Sequence, residues 1–246
     1  MPRRLLALLG ALAVLTGCGT APPAAVPPDS GVPAVSAHPV DEATARQAFG
    51  LLDRLDQALA RRDCAAAAEL TTWAAKTLGG RACEATRNGR PARDPRFYLP
   101  DAPDWFAAFA SGSYYVFLLE DDRWLLGAGP IPAVGKPPEY TQGATADAAV
   151  LTEAALVPQR HLTFLTDPAG VQGVRFPAGD PLVKLRSGVK DVELIGGEPP
   201  AVALSGDRVL VFDALRVRHG SRTEVVQVAS VVTAGNRCAT VGLGRG

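Results

Sequence analysis

From Asp41 onward the hydrophobic positions follow two different periods. Ala45, Ala48, Phe49, Leu52, Leu55 and Leu59 recur at three- and four-residue steps, the spacing of one helix face, and Thr44-x-x-Gln47 has the form of a capping box. A second helix is expected from an Asp63 cap, with Ala66, Leu70, Trp73 and Thr77 on one face and a stop at Gly79-Gly80. Together these make a helical hairpin. A short extended piece at Phe97–Leu99 and a short helix from Pro103, carrying Trp105, Phe106 and Phe109, come next. The period then changes to two. Strands are expected over Ser113–Leu119 and Arg123–Ala128, joined across Asp121-Asp122. In the first, Tyr114, Val116 and Leu118 line one face and Tyr115, Phe117 and Leu119 the other. Both faces are apolar, so this strand should be covered on both sides.

Pro130, Pro132, Pro137 and Pro138 can neither donate to a sheet ladder nor continue a helix, and mark a connection between domains. A helix is expected around Ala146–Leu156, and from Leu162 the pattern reads almost entirely as strand. Arg208–Arg218, Thr223–Val232 and Cys238–Leu243 are separated by Gly-containing turns, as in an antiparallel meander. The expected fold class is therefore α+β. A helical hairpin packs on a curved antiparallel sheet over residues 41–130, a linker spans 131–144, and a second, mostly antiparallel, β-rich α+β domain occupies 145–246.

The start of the chain follows neither period. Arg3 and Arg4 precede an apolar stretch, Leu5–Leu15, that is too short to cross a bilayer as a helix. A charged start, a short apolar run and small residues after it describe a signal peptide over residues 1–17. Arg3-Arg4 lacks the polar surroundings of a twin-arginine signal, which favours the general secretion route. Residues 18–40 carry Pro22, Pro23, Pro27, Pro28, Pro33 and Pro39 among small residues and read as an extended spacer.

Leu15-Thr16-Gly17-Cys18 resembles the bacterial lipobox. The resemblance implies a diacylglycerol thioether on Cys18, cleavage before it, acylation of the new amino group by palmitate-like chains, and residence on the outer face of the cell membrane. Two or three acyl chains anchor a protein stably where one does not. No later apolar run is long enough to span a membrane.

Composition narrows the partners. With 47% hydrophobic residues the chain can build a sizeable core, and 25 basic against 25 acidic residues give no electrostatic reason to expect nucleic acid. The expected partners are the membrane, through the anchor, and an envelope protein or an apolar small ligand.

Candidate chemistry is sparse. In an oxidising compartment Cys64 and Cys83 are expected to form a disulfide that clips the region after Gly79-Gly80 back onto the hairpin, leaving Cys238 as a buried thiol. No paired Cys or His spacing points to a metal, and no cofactor motif is present. Of the three histidines, His38 lies in the spacer and His219 beside a turn, both expected in solvent, and His161 begins an extended segment at or near the surface. No serine has a nucleophile-elbow setting, and the glycine spacing of Gly129–Lys136 is wrong for a phosphate loop. Glu120, Asp121 and Asp122 read as a solvated turn. Asp213 is the one charge interrupting an apolar strand alternation, and should pair with an Arg of a neighbouring strand rather than stay buried alone. No catalytic residue is assigned.

Two helices, a short third helix and then antiparallel strands is the element order that resembles nuclear transport factor 2-like domains, in which a curved sheet encloses a conical pocket. The lipobox, Phe97-Tyr98-Leu99-Pro100 before Trp105-Phe106, and Leu156-Val157-Pro158-Gln159-Arg160 resemble uncharacterised surface lipoproteins of actinobacteria. The resemblance brings no activity with it. The anchor, the spacer, two pocket-capable domains and the lack of a catalytic constellation lead to the expectation of an exported, membrane-anchored, non-catalytic binding or accessory module of the envelope. Two alternatives stay open. One is a small-pocket isomerase or hydrolase built on a carboxylate such as Asp104 or Asp213 with a Tyr; the other is a purely structural role.

Overall fold

The structure, a computed structural model, describes residues 38–84, 92–167, 175–197 and 200–246. The signal peptide, Cys18 and nearly all of the spacer lie outside the described residues. Residues Ala37–Gly246 form one compact unit. Helices α1 (Glu42–Phe49), α2 (Leu51–Ala60), α3 (Cys64–Glu69) and α4 (Trp73–Glu84) come first. Strands β1 (Arg96–Tyr98), β2 (Trp105–Ala110), β3 (Ser113–Glu120) and β4 (Arg123–Pro132) then form an antiparallel sheet in that order. Helices α5 (Ala148–Ala155), α6 (Val157–Thr166) and α7 (Pro181–Leu185) precede a second antiparallel sheet. It runs β5 (Val189–Leu194), β7 (Arg208–His219), β8 (Arg222–Thr233), β9 (Arg237–Arg245), with β6 (Ala201–Leu204) also paired to β7. The fold is α+β.

Both faces of both sheets are buried, which accounts for the all-apolar alternation of β3. Tyr115 and Phe117 turn toward Phe49, Leu52 and Leu55 of α1 and α2. Tyr114 and Val116 turn toward Leu210, Phe212 and Ala229 of the second sheet. The far face of that sheet, through Val209, Val211, Leu215 and Val217, is covered by α5, α6 and α7. The layers are thus helix, sheet, sheet, helix, with the central core between the sheets. The sheets also touch through main chain, where Val134 donates to the Val241 carbonyl at 2.7 Å and Ala133 bridges Gly242. A Cβ on Gly242 would sit 3.0 Å from the Tyr114 ring, so glycine sets how closely the sheets approach there.

Several elements depart from the sequence reading. Trp105–Ala110 is strand β2, not a helix from Pro103, because its register against β3 buries Phe106 and Ala108 on one face and Ala107 on the other. A six-residue apolar run fits either period, and the pairing partner decides. The first helix is capped by Asp41, whose Oδ1 accepts from Thr44 N at 2.7 Å, so Thr44 is the capped residue and not the cap. The expected second helix does start at an Asp63 cap, but it is interrupted where Thr71 bridges Leu126 of β4, and α4 then continues through Gly79 and Gly80. β4 runs on through Pro130 and Pro132, where a register shift opposite Tyr114–Val116 leaves Pro130 outside the pairing while Pro132 sits opposite Ser113 at the end of the strand. Beyond Leu162 the chain is helical to Thr166 and again in α7.

Cys64 and Cys83 are joined, with Cα atoms 5.6 Å apart, and fasten α4 to the start of α3. Closing a loop of 19 residues constrains the unfolded chain by about 3 kcal/mol on the entropy model. Replacing both cysteines by alanine should therefore lower the unfolding free energy by about that amount in urea titration, and an unchanged midpoint would show the bridge to be mechanically idle.

Candidate functional site

Two places combine chemistry with geometry. The first lies under α6. The alternation of β7 sends Asp213 to the helix-covered face with Val211 and Leu215. α6, with Pro158 in its first turn, turns Val157, His161, Phe164 and Leu165 inward onto that face. His161 Nδ1 is 3.2 Å from both carboxylate oxygens of Asp213. Its Nε2 is 3.6 Å from the Cys238 Sγ on β9, and its ring stacks on Phe176 at 5.8 Å. His161 is 0% exposed, Asp213 3% and Cys238 3%. Burial pushes the imidazole toward its neutral form, but the Asp213 charge and the hydrogen bonds to Asp213 and Cys238 outweigh it and raise the pKa to about 10. At neutral pH the ring is therefore a cation that donates from Nδ1–H to Asp213 and from Nε2–H to the sulfur.

This corrects two expectations. His161 is on a helix and wholly buried, and Asp213 pairs with it across layers rather than with an arginine across strands. The missing signal was the inward phase of α6, hidden by a short helix that follows α5 after a single residue, Leu156.

A carboxylate, an imidazole and a thiol in series is the order in which a cysteine nucleophile is activated. Such a nucleophile must meet its substrate, and Cys238 is 3% exposed, with a void beside it and His161 that is too small to hold a water, although Cys238 also borders a larger, open cavity. The Asp213–His161 pair is a buried lock between α6 and β7. Around it, Asp180 accepts from Thr240 N at 2.9 Å and from Leu182 N at 2.9 Å, fastening α7 to β9.

The second place is an open cavity of about 570 Å³ where the β8–β9 end of the second sheet meets the chain after β4. Lys136, Arg175, Arg208 and Arg237 line it, over a floor that includes Phe176, Val231 and Val241, and no carboxylate contributes to the wall. The four cations come from four separate segments. Arg175 is held by backbone pairing to β9, its N–H donating to the Asn236 carbonyl at 2.9 Å and its carbonyl accepting from Cys238 N at 3.1 Å. Arg208 Nε donates to the Ser205 carbonyl at 2.9 Å, and Lys136 Nζ lies 3.5 Å from the exposed Glu139. A groove of about 670 Å³, with Asp101 the charged residue in its wall, lies elsewhere, along Val40, Leu99, Trp105, Tyr140 and Leu151.

The chain matches no protein-family model, no curated protein and no solved structure.

His38 and Asp104 are exposed. His219 lies 3.3 Å from Glu224, which also holds Arg245. Asp121 and Asp122 form a tight turn at positive φ, and Glu120 accepts from the Thr72 hydroxyl at 2.7 Å. The cationic cavity was not legible in the sequence. Its charges are dispersed along the chain, and only the pairing of strands and of residue 175 with β9 brings them together.

Proposed function

We propose that this chain is an exported, lipid-anchored ligand-binding module of the cell envelope. The observation that carries the binding half is the open, cation-lined cavity with an apolar floor at the end of the sheet seam. The lipobox Leu15–Cys18 and the Pro-rich spacer after it support the anchored half. No helix among the described residues is long and apolar enough to cross a membrane. Helices before antiparallel strands, in 41–130 and again in 145–246, support reading each half as a diverged nuclear transport factor 2-like unit. A surface hydrolase is the second reading, favoured by the Asp213–His161–Cys238 series and by the place of Cys238 in the wall of that same cavity; it ranks below binding because His161 and Asp213 are buried and Cys238 is 3% exposed.

One measurement tests both halves. In native mass spectrometry of the protein extracted from membranes in a neutral detergent, the polypeptide should begin at Cys18 with the mass of a diacylglycerol and an acyl group added. It should also carry a non-covalent adduct lost on denaturation. An unmodified start downstream of Cys18 would remove the anchor, and a bare chain in native spectra would remove the binding function.

A further inference from the structure

We infer that the cavity bounded by Lys136, Arg175, Arg208 and Arg237 takes a small amphiphile whose head group is a phosphate or carboxylate and whose body is apolar. The inference rests on the binding-module reading and names its ligand class. Four positive side chains with no carboxylate in the wall, Lys136 having the exposed Glu139 within reach outside it, form a cleft of one sign, which concentrates ions of the other. Three of the four are arginines, whose forked donors match the paired oxygens of a phosphate or carboxylate. The fixed groups are already oriented: residue 175 is pinned to β9 by two backbone hydrogen bonds and Arg208 by its own Nε contact, so little order is lost on binding.

The floor decides against a bare ion. Phe176, Val231 and Val241, with Pro138, Pro177 and Ala239, present an apolar surface directly beneath the charges. A free phosphate would leave that surface in water, whereas an alkyl or isoprenoid body would cover it. A neutral lipid would cover the floor but leave the arginines without partners. The groove along Trp105 and Tyr140 has no cation and one carboxylate, Asp101, in its wall, and is the better host for a molecule without an anionic head. The two cavities thus sort ligands by charge.

Titration calorimetry of the mature chain with octyl phosphate, octanol and inorganic phosphate separates these cases. Octyl phosphate should bind at least about tenfold more tightly than either other probe, and added salt should weaken it. The double variant Arg175→Ala/Arg237→Ala should lose about tenfold or more of that affinity. Lys136→Glu, an exposed change outside the sheets, should lose affinity in the same direction with an unchanged melting temperature. Phosphate binding as tightly as octyl phosphate would overturn the amphiphile. Affinity unchanged in both variants would move the site elsewhere and overturn it too. Binding of octanol alone would overturn this inference while leaving the binding-module reading intact, and only the bare chain in native mass spectra strikes that reading itself.

Discussion

Replacing His161 with leucine is expected to lower the unfolding free energy by about 3–5 kcal/mol, a third or more of what holds an ordinary domain together. The reason is the partner left behind. Asp213 is 3% exposed, and the hydrogen bonds its carboxylate accepts come from His161 Nδ1. Without the imidazolium, the structure must hold a desolvated carboxylate, protonate it, or open α6 to admit water. The double variant His161→Leu/Asp213→Leu should recover much of the loss, because no unpaired charge remains. The pair also fixes a pH dependence. The folded pKa of His161 is raised above 6.5 to about 10, so its contribution is fully present below pH 6.5 and is lost as pH rises from there through about 10. Urea titrations of the wild type at about pH 6 and about pH 9 should show the fall, and His161→Leu should lack that part of it. Equal slopes for the two proteins would mean that His161 is neutral in the fold.

Phe212→Ala should cost a similar amount, about 3–5 kcal/mol, by a different mechanism. The ring is fully buried midway between the sheets, with its centroid 5.9 Å from that of Tyr114 in an edge-on arrangement. Truncation removes apolar contact from both sheets at once, and the Gly242 approach leaves little freedom to close the gap. Circular dichroism and intrinsic fluorescence, whose tryptophans lie at positions 73, 105 and 124, should report one coincident transition shifted to lower denaturant. A fluorescence transition that stays in place while the far-ultraviolet signal shifts would show that the sheets do not depend on this core.

Strands with long, clean alternation were legible in the sequence. Arg208–Arg218, Thr223–Val232 and Cys238–Leu243 appear as β7, β8 and β9 within a residue or two, and the two apolar faces of Ser113–Leu119 implied cover on both sides. What failed was short. Trp105–Ala110 holds six apolar residues, too few to tell a strand from a helix without knowing that Phe106 sits opposite Phe117. Val157–Thr166 carries only three apolar inward positions besides His161 and Pro158, and its histidine broke the apolar stripe that would have announced a helix. Two expectations stood on chemistry rather than period. Cys64 and Cys83 flank one helical region, in what the lipobox resemblance implies is an oxidising compartment, and a charge in the centre of a strand needs a partner. The principle located Asp213 as a paired residue but could not name the partner, because the partner's phase depended on the helix that had been missed. The cationic cavity lay beyond sequence patterning, since its arginines share no segment and meet only through long-range pairing.

Where Ala133 bridges Gly242 and Val134 donates to the Val241 carbonyl, the chain after β4 covers a short part of the outer edge of β9. The outer strands that remain are blunted. β1 has three residues between Pro95 and Pro100, and β5 projects Lys190, Asp191 and Glu193 into solvent, with Arg216 and Arg218 pairing its carboxylates. A chain fastened by acyl groups is confined to two dimensions, where neighbours collide far more often than at the same copy number in a volume. Were the proposed anchor to crowd copies on one surface, an exposed ladder would zip one copy to the next, and the blunted rims work against that pairing.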